Sequence, residues 1–328
     1  MSPTLGPAMS LSSASPADAR DPRAVAVDLF QAVSRAMRGS SEVVGLAVVA
    51  LLSGGHLLVE GVPGTGKTLL AKSLANAIGG RFGRVQCTPD LLPADVTGTS
   101  VYGPATGDWE FRPGPVFANV VLVDEVNRAS PRTQAALLEP MEEHQVTVDG
   151  ATHRLPEPFF LVATENPFGT AGTFPLPESQ LDRFAMVGTI GRPNRDAERE
   201  ILSGAGGTDA LETIVPVTTP AELVETMLAV RKVHCANSVL DYVLDVADAT
   251  RNHPEVALGA SPRASLSLLH AAQAHATVTG RDFVSPDDVK AVAAASLAHR
   301  IVLADGVDIA AGARVVAEIV GAVAAPRP

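Results

Sequence analysis

Gly61, Val62, Pro63, Gly64, Thr65, Gly66, Lys67 and Thr68 spell the pattern GxxxxGK[ST], whose letters suit the gripping of a polyphosphate. Glycines at 61, 64 and 66 let backbone amides converge on phosphate oxygens, and a following helix aims the positive end of its dipole at the same point. Lys67 reaches the β and γ phosphates of a nucleotide, and Thr68 offers a hydroxyl to Mg²⁺. A purely structural glycine-rich turn is the alternative. It is disfavoured by the apolar strand before the loop and the helical run Leu69 to Ile78 after it.

Two further strand ends are polar. Val120 to Val123 runs into Asp124 and Glu125, and acids at the carboxyl end of a buried parallel strand lie where open α/β sheets present ligands. Asp124 is then placed to hold Mg²⁺ through water, and Glu125 to polarise the water that attacks in line. An isolated acidic strand end is more often a cap or a solvated turn; its place downstream of Lys67 favours the catalytic reading. Asn166 closes the apolar run that begins at Phe159. It either orients the same water or touches the γ-phosphate, or it merely opens a turn with Pro167.

Two arginines stand apart. Arg183, just before the last core strand, is either a surface ion pair with Asp182 or Glu178, or an arginine finger acting on a neighbour's nucleotide. Arg263 sits in the first turn of a helix capped by Ser261, where a cation opposes the helix dipole. That placement points to an anionic partner such as a phosphate, against the alternative of a side chain swung into water.

The elements that must carry these groups can be read from pattern. Asp21 and Pro22 open a helix expected to run to about Arg38, and Ser41 is expected to cap a second one that Gly54 and Gly55 end. Strands are expected at His56 to Glu60, Arg84 to Cys87, Val120 to Val123, Phe159 to Thr164 and Ala185 to Ile190. Their alternation with helices predicts a five-stranded, mostly parallel sheet with helices on both faces, an αβα core. Two inserts, Val101 to Phe117 and Gln145 to Leu155, read as β-hairpins, the second turning at Asp149-Gly150. After Gly191, Arg192 and Pro193 the pattern becomes helical. Thr219-Pro220, Ser261-Pro262 and Ser285-Pro286 each supply a hydroxyl cap and a first-turn proline, so an all-α lid is expected. The division is a flexible tail over 1–20, a nucleotide-binding core over 21–192 and the helical lid over 193–328.

Composition fits this reading. Of 328 residues, 46% are hydrophobic and 19% charged, which suits a folded chain with an aliphatic core, and the net charge of −11 disfavours broad attraction to nucleic acid or anionic lipid. The two cysteines, Cys87 and Cys235, suggest neither a zinc site nor a disulfide framework, and a reducing cytoplasm fits. The apolar run Val43 to Leu52 is about half the roughly 20 residues needed to cross a bilayer, so no membrane insertion is expected. The first twenty residues lack the apolar region of a secretory signal. No NKxD element comes after the phosphate loop, which disfavours a GTPase.

In this order the motifs resemble the AAA+ superfamily: Walker A at 61–68, Walker B at Asp124 and Glu125, sensor 1 at Asn166, an arginine finger at Arg183 and sensor 2 at Arg263. More narrowly the chain resembles the MoxR family, through TPDLLPADVTG (88–98), PGPVF (113–117), DEVNRASPRTQAALLEPMEEHQVTVDG (124–150), LPESQLDRF (176–184), GASPRA (259–264) and AHRIVL (298–303). The resemblance implies a P-loop AAA+ core whose hairpins are the helix-2 insert and the pre-sensor-1 hairpin, followed by a helical lid. It also implies an ATP- and Mg²⁺-dependent, chaperone-like ATPase, usually hexameric, working on client proteins and often with a partner bearing a von Willebrand factor A domain. Related branches with the same hairpins include DNA helicases and the magnesium chelatase motor, so a DNA-acting or chelatase-type motor is the alternative. Glu165, where glutamine is expected, and Gly39-Ser40, in place of glycine-glutamine near the adenine pocket, depart from the family pattern.

Overall fold

The computed structural model describes residues 20–166 and 172–326. The tail expected before Arg20, and Pro167, lie outside the described residues. Arg20 itself is engaged: its guanidinium donates to the Val217 carbonyl at 2.7 Å and pairs with Asp28.

Helix α1 (Pro22–Ala36) starts as its sequence dictates, with the Asp21 carboxylate accepting from the Arg23 amide and proline in the first turn. It buries Val25, Ala26, Leu29, Ala32, Val33 and Ala36, a stripe at helical spacing. Helix α2 (Ser41–Leu52) is apolar on nearly every side and is correspondingly buried. Its start differs from expectation. Ser41 is the first helical residue, and Ser40 occupies the cap position without a side-chain capping bond. Gly39, at φ 74°, sets that geometry by bringing the chain in from the left-handed region.

The sheet contains β1 (Leu57–Gly61), β2 (Phe82–Gln86), β5 (Val120–Asp124), β8 (Phe160–Glu165) and β9 (Met186–Ile190), in the order β2-β5-β8-β1-β9, all parallel. Both faces are covered at the centre of the sheet, so β5 and β8 read as continuous apolar runs, whereas the edge strand β2 alternates buried and exposed residues. Along β5, Val120 and Leu122 enter one apolar cluster and Val121 and Val123 the other; along β8, Phe160 and Val162 divide from Leu161 and Ala163 in the same way.

Between the strands lie α3 (Lys67–Ala77), α4 (Pro93–Thr97), α5 (Pro131–Ala135), α6 (Leu138–Glu143) and α7 (Glu178–Leu181), with two inserted hairpins. The first, β3 (Gly98–Gly103) with β4 (Asp108–Pro113), begins and ends earlier than its turn residues suggest. The reason is Gly98, at φ 94°: it turns the chain directly out of α4, and an added Cβ there would meet the Arg112 carbonyl oxygen at 2.3 Å. The second, β6 (Gln145–Val148) with β7 (Ala151–Arg154), turns through Asp149 (φ 51°) and Gly150 (φ 79°), as its Asp-Gly pair requires. Stacking of Phe111 on His153, with ring centroids 3.8 Å apart, ties the two hairpins together.

The remainder is helical: α8 (Arg195–Leu202), α9 (Gly207–Glu212), α10 (Pro220–Val230), α11 (Asn237–Arg251), α12 (Pro262–Val278), α13 (Pro286–Leu297) and α14 (Ile309–Ala322), with a small ribbon of β10 (Val256–Leu258) and β11 (Val302–Leu303). Thr219 and Ser261 cap their helices through side-chain oxygens. At Ser285 the backbone amide and hydroxyl both donate to Asp288. One apolar cluster continues from α1 and α2 through β1 into α10 to α14, so lid and core share packing.

Two buried histidines brace the sheet. His56 accepts from the Leu161 amide at 3.2 Å and faces the Met141 carbonyl at 3.0 Å; His299 faces the Phe184 carbonyl at 2.7 Å. Burial lowers their pKa values from 6.5 to about 4 and about 3 respectively. At these groups, and at His270, lowered likewise to about 4, the unfolded chain binds more protons below about pH 6.5, so their contribution to stability is lost as pH falls. Glu165, raised to about 7, and Glu60 act in the opposite sense, and the three imidazoles outnumber them. Urea midpoints measured at pH 7, 6 and 5 are expected to decrease in that order; a flat profile contradicts the neutral, buried imidazoles.

Candidate active site

The loop between β1 and α3 leaves the sheet at Gly61 and enters the helix at Lys67. Gly64 and Gly66, at φ 82° and 103°, occupy the left-handed region that side-chain-bearing residues avoid. No side chain caps α3, which leaves its first-turn amides for an anion. Thr65 closes the turn by donating to the Val62 carbonyl at 2.9 Å, and Lys67, 8% exposed, donates from Nζ to the Gly61 carbonyl at 2.7 Å. Burial lowers the Lys67 pKa, while the charges of Asp124 and Glu125 pull it back up.

Gly64, Thr65, Gly66 and Lys67 line a cavity of about 560 Å³ together with Thr68, Asp124, Glu125, Met37, Arg38 and Ser40. That size suits a nucleotide. The lid closes one side through Pro193, Ile201, Gly207, Thr208 and Leu211, and Arg38 holds it there by donating to the Ala205 carbonyl at 3.2 Å and pairing with Glu200 at 3.3 Å.

The two acids at the end of β5 are fixed by one hydroxyl. Thr164 Oγ1 donates to Asp124 Oδ1 at 2.7 Å and accepts from the Glu125 amide at 2.9 Å. Glu125 adopts φ 56°, ψ 51°, and its Oε2 accepts from Arg128 at 3.1 Å. The second Asp124 oxygen accepts from Arg84 Nη2 at 2.7 Å, a side chain of β2 that also reaches Gln86 and lines the cavity. In the sequence Thr164 and Arg84 read only as parts of strands. Their signal is polar side chains on the strands flanking β5, Thr164 near the end of β8 and Arg84 midway along β2, which means little until strand order is known.

Asn166 comes directly after β8, at the same edge of the sheet as Asp124 and Glu125. Beside it Glu165 has a pKa raised to about 7, first by burial and then by Glu60, its register partner on β1. Glu60 is itself raised, by burial and by Asp308.

Arg183 and Arg263 do not line this cavity. They meet in a second one, of about 480 Å³, with Glu142, Asp182, Arg231 and Arg300. Glu142 accepts from Arg183 at 3.1 Å and from Arg263, and Ser261 at the start of α12 donates to Asp182 at 3.2 Å. In its own protomer Arg263 therefore lies away from the phosphate loop, held against Glu142. Packing of α12 against α1, α2 and α13 directs its first turn toward α6 and the Asp182-Arg183 segment, and α8 and α9 take the place over the phosphate loop.

A family model described as ATPase family associated with various cellular activities (AAA) matches residues 56–186, and an AAA lid domain model matches residues 248–319. The chain is 46% identical over 271 residues to the uncharacterized protein YeaC of Bacillus subtilis (strain 168), covering 83% of this chain and 85% of that one. It is 42% identical over 280 residues to Chaperone MoxR1 of Mycobacterium tuberculosis, covering 83% and 74%. It is also 32% identical over 307 residues to the protein MoxR of Paracoccus denitrificans, covering 84% and 88%. A crystal structure from Cytophaga hutchinsonii, proposed to be an ATPase, superposes with a TM-score of 0.84 at 34% identity, covering 93% of this chain and 96% of that one. No helix among the described residues is long and apolar enough to cross a membrane.

Thr164→Val removes the hydroxyl that orients both acids. Where Asp124 holds the magnesium of a bound nucleotide, affinity for ATP with the metal present is expected to fall about 10- to 100-fold, as for other groups that orient metal ligands, with magnesium-free binding little changed. Calorimetric titration of the variant with and without the metal checks this; equal affinity to the parent chain under both conditions contradicts it.

Proposed function

Because this chain belongs to the MoxR family of AAA+ ATPases, we propose that it hydrolyses ATP to drive chaperone-like remodelling or maturation of partner proteins. The observation that carries the reading is the single cavity that gathers Lys67, Thr68, Asp124 and Glu125 behind a loop of converging amides. In this reading residues 61–68 hold the phosphates, with Lys67 exchanging its bond to the Gly61 carbonyl for phosphate oxygen. Thr68 and Asp124 would hold Mg²⁺, which would supply neutralisation of the charge on the phosphate oxygens. Glu125 accepts the proton of the attacking water as its oxygen bonds to the γ-phosphorus and the bond to ADP breaks, and Asn166 orients that water. Met37, Ile201 and Leu211 furnish apolar walls suited to the base.

Arg183 and Arg263 do not reach this cavity within one protomer. Both are assigned here to a neighbour's nucleotide, which makes the active form a ring, a hexamer by family habit. The core over 21–192 and the lid over 193–328 then shift against each other on hydrolysis and move the hairpins against a client. A von Willebrand factor A domain partner and a cytoplasmic setting belong to the same reading. The Mycobacterium tuberculosis relative's name, Chaperone MoxR1, supports it.

Glu125→Gln is expected to keep ATP binding and to lower phosphate release by about 10²- to 10⁴-fold. Turnover at the parent rate removes Glu125 as the base. Retention of client proteins by this variant in ATP supports remodelling. Salt-sensitive stimulation of ATP hydrolysis by DNA instead favours the DNA-acting or chelatase-type motor.

A further inference from the structure

The second cavity contains four arginines, Arg183, Arg231, Arg263 and Arg300, against two carboxylates, Glu142 and Asp182. The carboxylates are not equivalent. Asp182 is committed to the scaffold: it accepts from Ser261 at 3.2 Å and pairs with Arg300 at 3.3 Å, whose side chain is 3% exposed and also holds the Asp182 carbonyl at 3.0 Å. Glu142 is 31% exposed and, among the described residues, is bound through its two oxygens to Arg183 and Arg263. Burial pushes its pKa up, but bonds from Arg263 and Arg183 outweigh that and hold it below the ordinary value, so it is ionised at neutral pH.

Two guanidiniums converging on one carboxylate make a ready-made site for an oxyanion, because a phosphate offers the same acceptors with more charge. The carboxylate and an incoming phosphate cannot share that position without repulsion between like charges. We propose that Glu142 is an exchangeable counter-ion, which holds Arg183 and Arg263 converged in the free protomer and yields them to the γ-phosphate of a neighbour's ATP. The proposal rests on the assignment of both arginines to a neighbouring subunit and adds a positioning residue to it.

Glu142 is also mechanically placed. It lies in the last turn of α6, which runs through His144 at φ 51° into β6. Glu139 of the same helix accepts from the Thr147 amide at 3.0 Å, and Gln145 donates to Glu143 at 2.9 Å. Release of Glu142 therefore loosens the end of a helix bonded directly to the β6–β7 hairpin.

The test is the concentration at which the full chain assembles, by sedimentation velocity with magnesium and a non-hydrolysable ATP analogue. Glu142→Gln keeps the shape and removes the competing charge, so its midpoint should fall about threefold or more, in the range of an ion pair of this exposure. Glu142→Asp keeps the charge and should not show the fall. Arg183→Ala should raise the midpoint and abolish hydrolysis. A midpoint for Glu142→Gln equal to or above that of the parent chain, with Arg183→Ala impaired, overturns the counter-ion and leaves the neighbour assignment standing. Normal assembly and hydrolysis by Arg183→Ala overturns the assignment itself. A fall in midpoint is not what loss of a structural contact produces. Should Glu142→Gln not fold, hydrogen exchange in the parent chain decides: amides of residues 142–148 are expected to exchange faster in the analogue-bound ring than with ADP, and equal rates overturn the proposal.

Discussion

Everything in the candidate site depends on the register of a parallel sheet buried on both faces. A slip of one residue in β5 would exchange Val120 and Leu122 with Val121 and Val123 between two apolar clusters, which the aliphatic residues could tolerate but the acids at the strand end could not. Asp124 and Glu125 would lose their alignment with Thr164, the residue on β8 that bonds to both. Strand pairing fixes this alignment, since Val123 lies beside Ala163 one step before the acids. The chemistry therefore inherits its precision from aliphatic packing.

Glu125 illustrates what such a scaffold can sustain. A non-glycine residue in the left-handed region costs on the order of 1–2 kcal/mol. Here the cost is offset by the bond from its amide to the buried Thr164 hydroxyl, by the pair with Arg128, and by the short turn that starts there. The conformation puts the carboxylate of Glu125 in the same cavity as Lys67. Around it cations are in excess: Arg38, Lys67, Lys72 and Arg84 line the cavity with Asp124 and Glu125, while Glu165 and Glu60 are pushed toward their neutral forms and add less negative charge than their number implies. Glu165 in its protonated form offers a donor like the glutamine amide it replaces in the family pattern.

Motifs whose meaning is local are legible in the sequence, and those whose meaning depends on strand order or helix direction are not. The phosphate loop lies within one strand, one turn and one helix start, so its residues carry their own context. The Asp149-Gly150 hairpin and the caps at Asp21, Thr219 and Ser261 are likewise short-range. The start of α2 is ambiguous because Ser40 and Ser41 offer the same side chain, and Gly39 decides which one begins the helix. Thr164 and Arg84 gain their meaning only from β8 and β2 flanking β5. Arg263 gains its own from the direction of α12, which is set by packing against α1 and α2, more than 200 residues earlier.

The placement of the lid resolves an apparent contradiction in that arginine. A cation in the first turn of α12 opposes the helix dipole and gains nothing from the cavity over the phosphate loop, which α8 and α9 already cover. Held against Glu142, it is instead neutralised at the far side of the core, next to Arg183. Two guanidiniums kept converged by one carboxylate suit a highly charged terminal phosphate better than either would alone. On the proposed reading a protomer carries the two halves of a nucleotide site on separate surfaces, the amides and acids on one and the arginines on the other, and neither half would be complete until two copies meet.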